Sequence, residues 1–259
     1  MLVIVSWNVN SIRTREDHVL KLINDIKPDI LMIQEIKCMD IEFPDFYSNA
    51  GYNAFICGEK GKYGVATLIK KEFDVEEVTI NNQILKKEAR LIMTKIKDLN
   101  LNLINLYTPN GNPIENSEKF NFKIEWMNQL KQLSCKFVKD YQKCVIGGDF
   151  NVIENNNDAS NFENWRNAAL GHHLVRTKFR ELLSIGYLNT IRLFEKPGSK
   201  YSFWDYQRAS WERNEGILID HFLISPNLTK NIFKFGIEEK YRGLKQPSDH
   251  VPVWIGLNN

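Results

Sequence analysis

The feature that most constrains this chain is a succession of short apolar runs, each closed or opened by a polar, chemically capable residue. "VIVSWN" ends at Asn8, "DILMIQE" at Glu35, "LINLYTPN" at Tyr107 and Asn110, and "VIGGDFN" at Asp149 and Asn151. "GILID" carries Asp220, and "PSDHVPVW" opens a run with Asp249 and His250. Runs rich in Val and Ile with little alternation are what strands buried on both faces look like. Taken alone, a run that stops at two glycines and then shows Asp149 and Asn151 is a strand entering a turn, because both side chains bond their own backbone. Recurrence argues for chemistry, since ligand sites in layered α/β proteins collect where strand ends meet loops.

Nine strands are expected, at 2–7, 29–34, 64–69, 91–96, 101–107, 143–147, 201–206, 217–224 and 252–257. Between them, residues 15–26 space Val19, Leu22, Ile23 and Ile26 along one helical face, with Thr14 as N-cap. Residues 117–141 repeat Phe120, Ile124, Met127, Leu130 and Leu133, and 177–186 ends on Gly186, a C-terminal cap. Some strands alternate with helices and others follow directly, which suggests an α/β layered sandwich with helices outside the sheets. No linker, low-complexity tract or repeat breaks the sequence, so residues 1–259 are expected to form one domain.

Composition excludes more than it identifies. A formal net charge of +2 in 259 residues is too small to demand a polyanionic partner. Cys38, Cys57, Cys135 and Cys144 are scattered without a CxxC, against a zinc site or disulfide scaffold and in keeping with a reducing cytoplasm. The start, "MLVIVSWNVN", has no basic leader and too short an apolar run for a signal or a membrane span, so a cytoplasmic location is expected.

The strand-end set holds three aspartates, a glutamate, three asparagines, a tyrosine and a histidine, with no GxSxG elbow. Hard oxygen donors of this kind suit Mg²⁺, which takes one or two carboxylates and keeps waters or substrate phosphates. Against this, Asn8 and Asn110 also suit turns, Tyr107 a strand end, and Asp249-His250 a turn before the last strand. His172 and His173 are adjacent, point different ways, and are read as a loop or helix start. Trp126 and Trp165 are read as core or loop anchors rather than base-stacking platforms.

The ordered set "SWNVNSIR", "PDILMIQEIKC", "KGKYGVA", "NLYTPNG", "IGGDFNV", "FWDYQ", "GILIDHFLIS" and "PSDHVPVW" resembles the exonuclease III family of abasic-site endonucleases, within the endonuclease/exonuclease/phosphatase superfamily. The resemblance runs from Ser6 to Trp254, and "FWDYQRASWERNEGILIDH" is most similar to bacterial members. It implies a four-layered, deoxyribonuclease I-like α/β sandwich, two mainly antiparallel or mixed sheets flanked by helices. It also implies Mg²⁺-dependent cleavage (Mn²⁺ a substitute) of duplex DNA 5′ to abasic sites, with 3′→5′ exonuclease and 3′-end cleaning, in base excision repair.

By the same resemblance Glu35 is the main metal ligand, with Asn8 and Asp249 near the metal and its waters. Asp149 activates or orients the attacking water, Asn151 orients the substrate, and Asp220 partners His250, here expected to act as an electrostatic clamp. Tyr107 and Asn110 contact the scissile phosphate, and Arg13 and Tyr63 contact DNA. Phe203, Ile217 and Ile219 line a pocket for the extruded base-less sugar, with Trp204 a weaker candidate; the "YSFWDY" aromatics also suit a core. Lys60, Lys62, Lys240, Arg242 and Lys245 are further candidates for phosphate contacts or a solvated face. Asn10 stands where animal members carry aspartate, and Ile217 where some carry a bulky aromatic. The competing readings are a superfamily phosphoesterase on a non-DNA substrate and a DNA-binding module with a decayed site. A monomer is expected.

Overall fold

The computed structural model describes residues 1–258. One sheet holds β1 (Leu2–Asn8), β2 (Ile30–Gln34), β3 (Tyr52–Cys57), β4 (Val65–Lys70), β11 (Ile232–Ile237) and β12 (Val253–Leu257). The other holds β5 (Val75–Glu77), β6 (Leu91–Ile96), β7 (Leu101–Tyr107), β8 (Lys143–Asp149), β9 (Leu188–Asn189) and β10 (Asp220–Ile224). Their orders are β11-β12-β1-β2-β4-β3 and β5-β6-β7-β8-β10-β9. Each sheet contains one parallel pair, β1 with β2 and β7 with β8, and is otherwise antiparallel. Parallel neighbours need a crossover: α1 (Ile12–Ile26) joins β1 to β2, and α3 (Ser117–Lys139) joins β7 to β8. Helices α2 (Phe46–Asn49) and α4 (His173–Ser184) complete the set.

Three apolar layers follow from this order. Ile4, Met32, Val145, Phe222 and Ile255 meet between the sheets. Trp7, Leu31 and Ile33 pack outward against Val19 and Leu22 of α1. Ile104, Ile146 and Leu223 pack outward against Trp126 and Leu130 of α3 and Phe179 of α4. Each fully buried Ile or Leu contributes about 1.5–3 kcal/mol. The four-layered α/β sandwich anticipated from the sequence is thus present, and Trp126 is core. No helix among the described residues is long and apolar enough to cross a membrane.

Gly147 and Gly148 are required by packing. A Cβ on Gly147 would stand 2.5 Å from the Phe222 ring and 2.8 Å from the Met32 sulfur of the facing sheet. One on Gly148, at φ +150°, would stand 1.9 Å from the Leu106 carbonyl oxygen of the parallel neighbour. The strand can therefore pass close to both partners and deliver Asp149 to the site end.

Several expected boundaries differ. Helix α1 begins at Ile12, so Thr14 is inside it and does not cap it. The N–H groups of Ser11 and Ile12 instead donate to the carbonyls of Glu35 (2.7 Å) and Ile36 (3.2 Å). Helix α4 starts at His173, with His172 at its N-cap accepting from the Leu174 N–H; Gly186, at φ +118°, lies just past its end. Residues 201–206 form no regular strand. Phe203 alone bridges to Ile217 and His250, because the aromatics there pack edge-on to each other rather than across a sheet face. The expected strand 217–224 is regular only from Asp220. The sequence reading missed β3, β5, β9 and β11, the four edges of the two sheets.

Candidate active site

Asn8 ends β1, Glu35 follows β2, and Tyr107 and Asp149 end β7 and β8, so both parallel pairs point their C-terminal ends at one place. Strand β10 runs antiparallel to β8 and begins there, pairing Asp220 with Asp149. Asp249 and His250 precede β12, which runs antiparallel to β1 and so also begins at this end. The strand-end pattern converges because every contributing strand has its polar terminus at the same edge of the sandwich. Just beneath, a buried polar bolt joins the sheets: Gln34 Nε2 donates to Asn105 Oδ1 at 2.8 Å, and Asn105 Nδ2 to the Ala66 carbonyl at 2.9 Å. The sequence reading did not single out either residue, although Asn105, an amide in the middle of an apolar strand, is the signal for such a pair.

Asp149 is enclosed and heavily bonded. Its Oδ1 accepts the Asn151 N–H (2.8 Å), and its Oδ2 accepts Asn8 Nδ2 (3.1 Å) and Asn151 Nδ2 (3.2 Å). His250 Nε2 lies 3.7 Å from the same oxygen, while its Nδ1 is 2.8 Å from Asp220 Oδ2. Ser202 Oγ also donates to Asp220 Oδ2 (2.6 Å) and accepts the Asp220 N–H. Burial pushes the Asp149 carboxyl up and the Asp220 charge adds to this, against the His250 charge. Burial disfavours the His250 imidazolium, but Asp220 and Asp149 outweigh it and its pKa rises. The imidazole is thereby held charged and oriented between two carboxylates.

Glu35 lies in a more open corner. Its backbone is left-handed (φ 52°), as are Asn10 (φ 47°) and Lys37 (φ 54°), and strain of this kind concentrates at functional sites. The N–H groups of Ser11 and Ile12, at the start of α1, bond the Glu35 and Ile36 carbonyls and hold the turn in place. Glu35 Oε1 accepts Asn8 Nδ2 (3.0 Å), and Lys37 Nζ stands 2.9 Å from Oε2. Burial opposes the Glu35 charge, but Lys37, Asn8 and Tyr107 prevail and lower its pKa. The Tyr107 hydroxyl is pushed up by burial and by the charges of Glu35 and Asp149, so it keeps its proton and serves as a hydrogen-bond donor. Asn10 bridges Lys37 to Asp249, donating to Asp249 Oδ1 at 3.2 Å. Lys37 adjoins the site but was not selected from sequence, because a loop lysine looks like a solvated charge; Asn10, noted there only as a departure from an acidic position, links it to Asp249.

The donor set fits a hard divalent cation. Among the described residues Glu35, Asp149 and Asp220 pair with Lys37 and the His250 imidazolium, and Asp249 with no cation, an excess of negative charge that repels phosphate unless a cation intervenes. Asp149, Asp220 and His250 bring ligand atoms within 4.8 Å of one another, but they are buried and the His250–Asp220 hydrogen bond fills that place. The corner of Glu35, Asn8 and Asp249 offers oxygens on a partly open face and suits an ion that keeps its waters.

A cavity of about 220 Å³ adjoins these groups, lined among others by Trp165, Leu170, Phe203 and Ile219. Ile217 lies behind this wall, packed with Ile219. Trp204 is buried with Nε1 donating to Asn214 Oδ1 at 3.2 Å, and does not line the cavity. Trp165, read as an anchor from sequence, is on the wall. Asn110 Nδ2 donates to Asn151 Oδ1 at 3.2 Å. Tyr63 (φ 53°) lies under the Arg90 guanidinium, 3.7 Å from the ring centroid, and Arg90 also covers Tyr107 at 4.6 Å. Arg13 is exposed, 3.8 Å from Glu42. Arg242 is buried and donates to the Trp204 carbonyl at 3.2 Å, which removes it from the candidate phosphate contacts.

Residues 5–250 match the Endonuclease/Exonuclease/phosphatase family. Among curated relatives, Exodeoxyribonuclease III of Haemophilus influenzae is 30% identical over 260 residues, spanning 96% of this chain and 97% of the relative. Among solved structures, an AP endonuclease from Archaeoglobus fulgidus superposes with TM-score 0.92 and 31% identity over the full length of both chains. The 3′ phosphatase NExo from Neisseria, bound to a product DNA hairpin, gives TM-score 0.92 and 29% identity, again over both full lengths.

Proposed function

Because the chain belongs to the endonuclease/exonuclease/phosphatase family and is a hydrolytic nuclease of the DNA-repair type, we propose that its main reaction is Mg²⁺-assisted hydrolysis of duplex DNA on the 5′ side of an abasic site. Removal of 3′-blocking groups and 3′→5′ exonuclease action are companion activities at the same centre. The chain acts as a monomer and one catalytic domain in the cytoplasm, beside the chromosome.

The observation that carries this reading is the cavity of about 220 Å³ set against Asp149, His250 and Glu35. It is below the ~300 Å³ at which sites for drug-sized ligands begin, and its Phe203, Leu170 and Ile219 wall is apolar. A base-less sugar fits such a space, and turning it out of the helix forfeits no base stacking.

Asp149 holds the attacking water and takes its proton; burial raises its basicity for that step. The His250 imidazolium, fixed by Asp220, faces the charge that builds on the phosphate oxygens. Asn151 and Asn110 orient the phosphodiester with their amides, and the Tyr107 hydroxyl donates to it. Water's hydroxyl joins phosphorus, the P–O3′ bond breaks, and the strand is left with a 3′-hydroxyl and a 5′-phosphate on the abasic sugar. Glu35, with Asn8 and Asp249 beside it, would hold a Mg²⁺, which would supply positive charge to the leaving O3′ until that oxygen takes a proton from solvent.

Two findings weigh against the rivals. A binding module gains nothing from burying Asp149, Asp220 and His250 as one bonded set, and the relatives compared are an exodeoxyribonuclease, an AP endonuclease and a 3′ phosphatase bound to DNA. The test is an end-labelled duplex with one tetrahydrofuran abasic analogue, incubated with Mg²⁺ or EDTA beside Asp149→Ala. Single-site, Mg²⁺-dependent cutting 5′ to the analogue, lost in the variant, is expected. An intact duplex with folded wild-type protein rejects the reading.

A further inference from the structure

Helix α3 carries a lysine on its buried stripe, and the reaction as described makes no use of it. Lys123 is fully enclosed (0% exposed), among Phe120, Trp126, Met127 and Leu130 of the same helix. None of the ion pairs among the described residues involves it. Burying an ammonium without a carboxylate is costly, and a purely packing role is better met by Met or Leu. Its Nζ reaches two backbone carbonyls, Asn151 O at 2.6 Å and Asn110 O at 3.0 Å. These belong to the two loops whose side chains face the cavity, one after β7 and one after β8.

We infer that Lys123 is a positioning residue, which ties the Asn110 and Asn151 backbones to helix α3 so that their amides and the Asp149 carboxylate meet the phosphodiester in register. Three observations support it. Asn151 is a non-glycine residue in the left-handed region (φ 49°), a conformation that persists where surrounding contacts hold it. Its N–H donates to Asp149 Oδ1 and its side-chain amide to Oδ2, so the same residue whose carbonyl Lys123 grips also aims the carboxylate. Gly111, at φ +81°, brings the Asn110 loop so close that a Cβ there would meet Lys123 Cδ at 2.7 Å. The grip survives deprotonation, since a neutral amine still has two N–H donors for two carbonyls. Burial does push this lysine down to about 7.

The inference rests on the nuclease reading, and its test separates the two. Lys123→Met keeps the stem and removes both donors, and Lys123→Arg restores donors. On the abasic duplex, Lys123→Met is expected to lower kcat by about 10²-fold, the scale of a 1 Å misplacement, with KM moved by less than about threefold. Lys123→Arg is expected to recover most of that loss. In DNA-free protein, the side-chain amide resonances of Asn110 and Asn151, assigned with Asn110→Asp and Asn151→Asp, are expected to shift in Lys123→Met. A merely structural lysine would lower the melting temperature and leave kcat per folded molecule unchanged. Normal kcat with unmoved amide resonances overturns the inference. If Lys123→Met does not fold, Lys123→Gln, too short to span both carbonyls, takes its place with the same expectations. If wild type cuts no abasic duplex, the nuclease reading fails, and the amide resonances still decide the role of Lys123.

Discussion

The two β-α-β crossovers that build the site each bring a lysine to it and place it oppositely. After β2, Lys37 sits on the loop with its Nζ 2.9 Å from Glu35 and a third of its side chain exposed (31%). Under the ends of β7 and β8, Lys123 is sealed inside α3 and touches no carboxylate, only two carbonyls. The open corner neutralises a carboxylate with a cation that can move aside. The closed corner spends its cation on backbone geometry. In the proposed reaction the difference would divide the labour: Glu35, Asn8 and Asp249 would accept a cation, while Asp149, Asn151 and Asn110 would form a fixed frame.

The largest effect should come from the closed corner. Asp149→Asn keeps the shape and loses the proton acceptor, so abasic cleavage should fall by at least about 10³-fold, within the range for removing a general base. DNA binding should hold or tighten, because a negative charge facing phosphate is gone. A variant retaining a tenth of wild-type kcat would move the base to another residue.

The open corner should respond through ion affinity. Glu35→Gln removes a carboxylate from the proposed ion site, and Mn²⁺ binding followed by electron paramagnetic resonance in DNA-free protein should weaken by at least about tenfold. Cleavage by this variant should recover partly at high Mg²⁺, whereas Asp149→Asn should not. Equal behaviour of the two would erase the distinction between the corners.

Lys37→Met should act in the opposite direction to Glu35→Gln. Without the ammonium, Glu35 keeps a free oxygen and Mn²⁺ should bind a few-fold tighter, on the order of 1 kcal/mol for a partly exposed pair. Unchanged or weaker binding would mean that Lys37 supports the ion rather than competing with it. It would then resemble Lys123 more closely than its exposure suggests.

How far the sequence foretold all this depends on which force fixed each part. Central strands such as β1, β2, β7 and β8 are legible because burial on both faces leaves continuous apolar runs. The four edge strands escaped because their composition is mixed; in "IFKFGI" only some side chains need to be apolar. The strand-end residues Asn8, Glu35, Asp149 and Asp220 stood out because they break those runs at their ends. What sits behind them did not. Lys123 falls on the stripe Phe120, Lys123, Met127 and Leu130, and a lysine at a core position is the signal that helical periodicity offered. Lys37 left no such mark, and Asn10 and Trp165 were noticed without their roles, since loop residues take their places from backbone turns that no short-range pattern specifies.

A separate effect concerns stability, and it tests whether Lys123 is as enclosed as its geometry states. Burial pushes its pKa from 10.5 down to about 7; among its neighbours the Asp149 charge on β8 resists this, and that of Arg90, just before β6, adds to it. Between those values the unfolded chain binds a proton that the native protein does not, so stability rises with pH there. Below about 7 both states are charged and the slope vanishes. Urea unfolding of wild type and Lys123→Met at pH 7, 8 and 9 cancels the titrations the two share. The wild-type stability relative to the variant should grow by about 1 kcal/mol per pH unit, near the limit for one proton. A flat difference would mean that water reaches the ammonium, and the closed corner would then differ from the open one in degree rather than in kind.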